Sequence, residues 1–223
     1  MAKKLEPAPA LMLQLEKAFT TKGYAALTMR AIAKACGFST RALYFYFSNK
    51  QEAFRAVIRF RNEVGMTTGF EAGRKRREAG GDALDILSDI INVRYGDTRR
   101  IANASPHLIE LNAQVFTCCT DIVTEVALSF EAELTKLIVE LQDAGLMRLH
   151  PGFTAAEMAG ALCNGARGVN QRLPPVPPEE LAQRYREMCG FILRGSAELG
   201  RKAKPPAAKR VKQPKPKRGR IDR

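Results

Sequence analysis

Lys50 sits in the first turn of a helix opened by Ser48-Asn49. A lysine is electrostatically out of place there, because a helix N-terminus favours anions. A phosphate resolves the mismatch, since the exposed backbone N–H groups and the ammonium can grip its oxygens together. Just upstream, Thr40, Arg41, Tyr44 and Phe45 fall on the outward side of a short helix whose Ala42, Leu43, Tyr46 and Phe47 turn inward. A surface with no binding role has no reason to display aromatics beside a lysine. The chemistry implied is contact with a polyanionic backbone, plus a basic and aromatic helix that can enter a groove.

The elements that must hold these groups are written into the same stretch. Thr28 can cap a helix start through its hydroxyl, and Ile32, Ala33 and Ala35-Cys36 follow on one face. Gly37 stands where a left-handed residue closes a helix without a Cβ penalty. Phe38 can anchor the turn, and Ser39 is a fresh N-cap. Two short helices joined by a tight glycine turn make a helix-turn-helix. Amphipathic helices with such a turn also occur in proteins that never touch DNA. The outward Arg41, Tyr44, Phe45 and Lys50 move the reading towards DNA.

Gly23-Tyr24, Leu27-Thr28-Met29-Arg30, Ile32-Ala33, Gly37-Phe38-Ser39, Leu43-Tyr44-Phe45-Tyr46-Phe47 and Lys50 resemble the signature of the tetracycline-repressor (TetR) family of transcriptional regulators. Leu11, Leu15, Ala18 and Phe19 fit that family's first helix, so the resemblance covers roughly residues 8–60 without a gap. Cys36 and Arg41 depart from it, each standing where a smaller residue is frequent. On the matching positions, the resemblance implies that Thr40, Arg41 and Phe45 reach base edges, with Arg41 suited to guanine. It implies that Thr28, Ser39, Tyr44, Tyr46 and Lys50 fix the head on phosphates. Leu27, Ile32, Leu43 and Phe47 would hold the head together. It also implies a homodimer on a palindromic operator of double-stranded DNA, most simply a repressor, released by a small apolar effector.

Charge follows the same division. Ten Lys and Arg against three Asp and Glu leave residues 1–60 at +7; fifteen against nineteen leave 61–200 at −4; eleven against one leave 201–223 at +10. The basic head suits a DNA reader and the mildly acidic middle does not. We expect three parts: a DNA-binding domain over 1–56, a helical effector-binding and dimerisation domain over 57–200, and a disordered Pro/Lys-rich tail over 201–223. The tail could add phosphate contacts without sequence preference, and a general DNA-coating protein relying on it is the alternative function.

The middle reads as all-α. Leu84, Ile86-Leu87, Ile90-Ile91 and Val93 keep helical spacing between Asp82 and Tyr95. Ser105-Pro106 is a start signal for a helical pattern running to Gly145, long enough that a split near Thr117–Thr124 is expected. A further helix spans about Thr154–Gln171, and after the Pro174–Pro178 block a last one runs from Glu179 through Leu199. No strand alternation is seen. The last two helices carry small residues (Gly160, Gly165, Gly168, Gly190) that permit close approach; this suits the four-helix interface between two subunits that the TetR resemblance implies, and the pattern equally fits a monomeric bundle core. Polar residues embedded in apolar stretches (Asn112, Asn164 and Arg167) nominate an effector site, with Phe116, Phe130 and Met158 as its apolar wall.

Other chemistry finds little support. There are no paired carboxylates, histidine general base, nucleophile elbow or phosphate loop, so an enzyme is not expected and no cofactor is implied. His107 and His150 lie near no Cys, Asp or Glu at zinc spacing. Five cysteines without pattern suggest reduced thiols, with Cys118-Cys119 as buried spectators. No apolar run reaches the ~20 residues a membrane span needs. We expect a cytoplasmic protein with no membrane partner.

Overall fold

A computed structural model describes residues 6–200. The expected basic tail over 201–223 lies outside the described residues. The chain runs α1 (Pro9–Lys22), α2 (Met29–Ala35), α3 (Thr40–Tyr44), α4 (Lys50–Glu78), α5 (Ala83–Ile91), a π-helical turn (Asn92–Gly96), α6 (Asp97–Asn103), α7 (Leu108–Cys118), α8 (Thr120–Asp143), α9 (Ala155–Asn170) and α10 (Leu181–Ser196). Among the described residues the fold is all-α apart from one strand pair, and no helix is long and apolar enough to cross a membrane.

Three helix starts follow their capping side chains. Thr28 Oγ1 accepts from Ala31 N at 3.2 Å, Ser39 Oγ from Ala42 N at 3.1 Å, and Asn49 Oδ1 from Glu52 N at 2.8 Å. Each such cap is worth ~0.5–2 kcal/mol. Gly37 takes φ +70°, closing α2 in the left-handed region. The head then packs around Leu15, Phe19, Leu27, Ile32, Leu43 and Phe54, each at most 2% exposed. Each contributes about 1.5–3 kcal/mol by leaving water. Ala35 is exposed, not part of the buried face expected for it; a seven-residue helix buries only Ile32 and Ala33.

The head's core does not stop at its own helices. Cys119, at the break between α7 and α8, and Ile122 and Val126 of α8 belong to the same buried cluster. The boundary expected at 56/57 falls inside α4, which runs unbroken for 29 residues from head into body. Gly65, Gly69 and Gly73 of α4 lie buried against α5 and the π turn. A methyl at Gly73 would come 2.4 Å from Ile90 Cγ1, and one at Gly69 would come 3.2 Å from the Ile90 carbonyl oxygen. Bare glycine is what lets these segments touch.

Four expectations for the body need correction. The Asp82–Tyr95 helix gives way at Asn92 to the π turn. Ser105 does not cap α7, which starts at Leu108; its hydroxyl donates to the Thr20 carbonyl at 2.7 Å and accepts from His107 N at 3.1 Å. The last helix ends at Ser196, not Leu199. Ala197–Leu199 (β2) instead pairs antiparallel with Met147–Leu149 (β1), overturning the reading that no strand occurs. By contrast, the expected split of the long helix occurs at Cys119, and Thr154 and Glu157 form a capping box at the start of α9.

Candidate nucleic-acid interface and body cavities

Helix α3 presents Arg41 to solvent, with Tyr44 49% and Phe45 55% exposed. Large aromatics this open, on a five-residue helix, are not there to fill a core. Arg30 and Lys34 of α2 are exposed beside it. Among the described residues none of these three cations is paired with a carboxylate. Thr28 and Ser39 spend their oxygens as acceptors in the caps, which leaves each hydroxyl proton to donate outward. Thr40 is half-buried, and Tyr46 packs edge-on against Phe38 with centroids 6.0 Å apart.

Lys50 departs from the expectation. Its ammonium donates to the Tyr24 carbonyl at 2.9 Å, reaches the Ala25 carbonyl at 3.5 Å, and lies 4.3 Å from the centre of the Tyr24 ring. The electrostatic mismatch at the start of α4 is answered without a phosphate. Glu52 supplies an anion in the first turn, and its carboxylate accepts from Ser48 N at 2.7 Å. Lys50 therefore ties α4 to the α1–α2 loop.

Polar contacts join head to body on several sides. Glu110 of α7 accepts from Ala25 N at 2.5 Å. Arg61 of α4 pairs with Glu16 of α1, both largely buried. Arg55 of α4 makes a two-pronged pair with Asp121 at 2.8 and 2.6 Å and also donates to the Cys118 carbonyl. That arginine holds the Asp121 carboxyl down at about 2. Cys118 and Cys119 are free thiols whose sulfurs share a hydrogen bond at 3.7 Å, and burial pushes the Cys119 thiol up to about 12. A thiol so buried is no thiolate nucleophile.

Two cavities lie beside this junction. The first, about 270 Å³, is lined by Phe19 and Thr20 of α1, Phe54, Val57 and Asn62 of α4, Ile101 of α6, and Leu111 and Asn112 of α7. The second, about 600 Å³, is lined by Arg94, Tyr95, Val115, Phe116, Leu128, Glu131 and Arg167 among others. Asn62, Thr98, Val115 and Val123 border both. Helix α7, which buries no side chain completely, covers the two together. Of the residues nominated for an effector, Asn112, Phe116 and Arg167 line these cavities. Phe130 does not: it is wholly buried, tilted against Phe70 and edge-on to Tyr95. Met158 is core, beside a separate groove between α9 and α10. Asn164 faces outward and accepts from Arg167 at 2.8 Å.

Residues 15–57, which hold the reading helix and its caps, match the family described as bacterial regulatory proteins, tetR family. The head is a TetR-family domain. No curated protein matches the sequence. Solved structures extend the TetR likeness of fold to the body. A TetR transcription regulator from Haloarcula marismortui aligns with TM-score 0.65 at 20% identity, over 85% of this chain and 97% of that one. A transcriptional regulator from Rhodococcus sp. Rha1 gives 0.61 at 20% identity, over 84% and 96%. SmeT, the repressor of the Stenotrophomonas maltophilia multidrug efflux pump SmeDEF, gives 0.56 at 16% identity, over 85% and 89%. With a TetR head on a TetR-like body, the chain is a DNA-binding transcription regulator.

In the TetR head, sequence reasoning gave Arg30 and Lys34 no contact role, although Arg30 stands in the matching signature and both are visible as basic residues in the first helix of the motif. In the body it missed Asn62, Arg94 and Glu131. An arginine inside the apolar stretch Ile90–Tyr95 was the available signal for Arg94.

Proposed function

We propose that this chain is a homodimeric repressor that leaves a palindromic operator when a small molecule occupies the cavities beneath α7. The observation that carries the reading is the first cavity, whose wall is shared by α1 of the head and by α4, α6 and α7 of the body. Anything that fills it favours one arrangement of head on body over others. A ligand with unequal affinity for the DNA-bound and free arrangements shifts the balance between them. In this reading Thr40, Arg41 and Phe45 meet base edges, while Thr28, Ser39, Tyr44 and Tyr46 meet phosphates. Lys50 acts at one remove by holding the Tyr24–Ala25 loop. Asn112, Phe116 and Arg167 belong to the effector site.

Support for the dimer comes from α9 and α10. Phe191 is 73% exposed on α10, and Ala161 and Gly168 leave the outward side of α9 flat. A helix-turn-helix head reads two half-sites about one DNA turn apart, ~34–36 Å, which a two-fold pair supplies.

The test is selection of bound fragments from sheared genomic DNA at moderate salt, with the full chain and with a chain ended after Gly200. A short palindrome recovered by both supports the specific dimeric regulator. Diffuse binding that disappears with residues 201–223 would replace this reading with a DNA-coating role for the tail.

A further inference from the structure

Arg94 is a buried cation with no counter-ion among the described residues. It is 7% exposed, its Nη2 donates to Asn62 Oδ1 at 2.8 Å, and its Nε is buried with no acceptor. Its guanidinium carbon lies 5.2 Å from the Tyr95 ring centre and 5.5 Å from that of Phe130, and no carboxylate among the described residues pairs with it. Burial pulls its pKa down, yet an arginine keeps its proton. An uncompensated charge in such surroundings is strongly unfavourable on its own account.

Local structure is arranged to keep it there. The π turn Asn92–Gly96 carries Arg94, and such turns are frequent at functional sites. Besides Asn62, α4 offers glycine across from it: a methyl at Gly69 would stand 3.3 Å from Arg94 Cβ, and one at Gly65 would stand 3.6 Å from its Nη1.

Arg94 also lines the 600 Å³ cavity, whose size lies within the ~300–1,000 Å³ of small-molecule sites. The other charged residues lining it are Arg167 and Glu131, so the wall carries one net positive charge. Most of the remaining surface is apolar, with Val115, Val123 and Leu128 along α7 and α8.

We propose that this cavity takes an amphipathic monocarboxylate, its headgroup paired with Arg94 and its apolar chain lying along α7 and α8. The planar guanidinium fork matches a carboxylate's two oxygens, and one net charge on the wall matches one on the ligand. This assignment rests on the reading of the cavity as the effector site and changes its ligand from a neutral apolar molecule to an anionic one.

Titration calorimetry of the full-length protein with octanoate and with octanol tests it, because the two share a chain and differ in charge. Octanoate should bind more tightly by about ten-fold or more, the worth of a hydrogen bond to a charged group. Arg94→Met should erase that preference, and Glu131→Gln, which removes the opposing charge, should increase it. Equal affinities, no binding of either ligand, or a preference that survives Arg94→Met overturns the proposal. If Arg94→Met does not fold, the wild-type comparison and Glu131→Gln still decide. Operator release is read separately by gel shift. Arg94-dependent octanoate binding without release keeps the carboxylate site and removes the effector-release reading. Release by octanol that ignores Arg94 does the reverse.

Discussion

On α3, Arg41 is exposed with no acid among the described residues holding it, beside Tyr44 and Phe45. Arg41→Ala should cost ~1–3 kcal/mol of operator binding and relax preference at one base pair. A binding-site selection repeated with the variant reads this directly, and equal weakening on every sequence would make Arg41 a phosphate contact. Asp121 gives a prediction in pH. Its carboxyl is held at about 2, chiefly by Arg55, whereas a free aspartate titrates near ~3.9. The depressed value means that the pair's stabilisation is present above about pH 4 and is lost as pH falls towards 2. Melting temperatures measured across that window should fall more steeply for wild type than for Asp121→Asn, and parallel curves would show that the pair contributes nothing. The aromatic and basic outward face was legible in sequence because α3 is short and its apolar positions are unambiguous. Arg94 was not, since its burial depends on glycines more than twenty residues earlier in the chain.

Elements were legible where their signals are local. Thr28, Ser39 and Thr154 announce helix starts because each hydroxyl meets an N–H three residues on. The strand pair was hidden because Ala197–Leu199 finds its partner fifty residues upstream, so neither three-residue piece shows a pattern alone. The glycines of α4 were hidden too. At i, i+4 and i+8 they look like helix weakeners, and only the approach of α5 explains them. Gly73→Ala sets two effects against each other. Helix propensity gains about 1 kcal/mol, while a methyl 2.4 Å from the wholly buried Ile90 brings overpacking of ~1–3 kcal/mol. We expect overpacking to win, because Ile90 is wholly buried and meets the added methyl at both Cγ1 and Cδ1. Chemical denaturation should show Gly73→Ala less stable than wild type, and adding Ile90→Val should recover part of the loss. A more stable single variant would mean that the two segments can separate cheaply.

At the scale of the whole molecule, the basic reading face belongs to the head, and the exposed Phe191 lies on the last helix of the body. If two chains meet through α9 and α10, Phe191→Glu places a carboxylate in each half of the joint. Light scattering after size-exclusion chromatography should then report a monomer, with operator affinity falling alongside because two half-sites are no longer held together. An unchanged dimer would move the interface to another face.

Helix α4 belongs to both domains, and over 29 residues it spans about 43 Å at ~1.5 Å per residue. A head cannot therefore be exchanged between such proteins as if a loop joined it to the body. One residue inserted into α4 turns everything beyond it by about 100° and advances it by ~1.5 Å, whereas seven residues bring the phase nearly back. Chimeras joined within α4 must be cut in register, and tolerance to insertions there should rise and fall with the period of the helix.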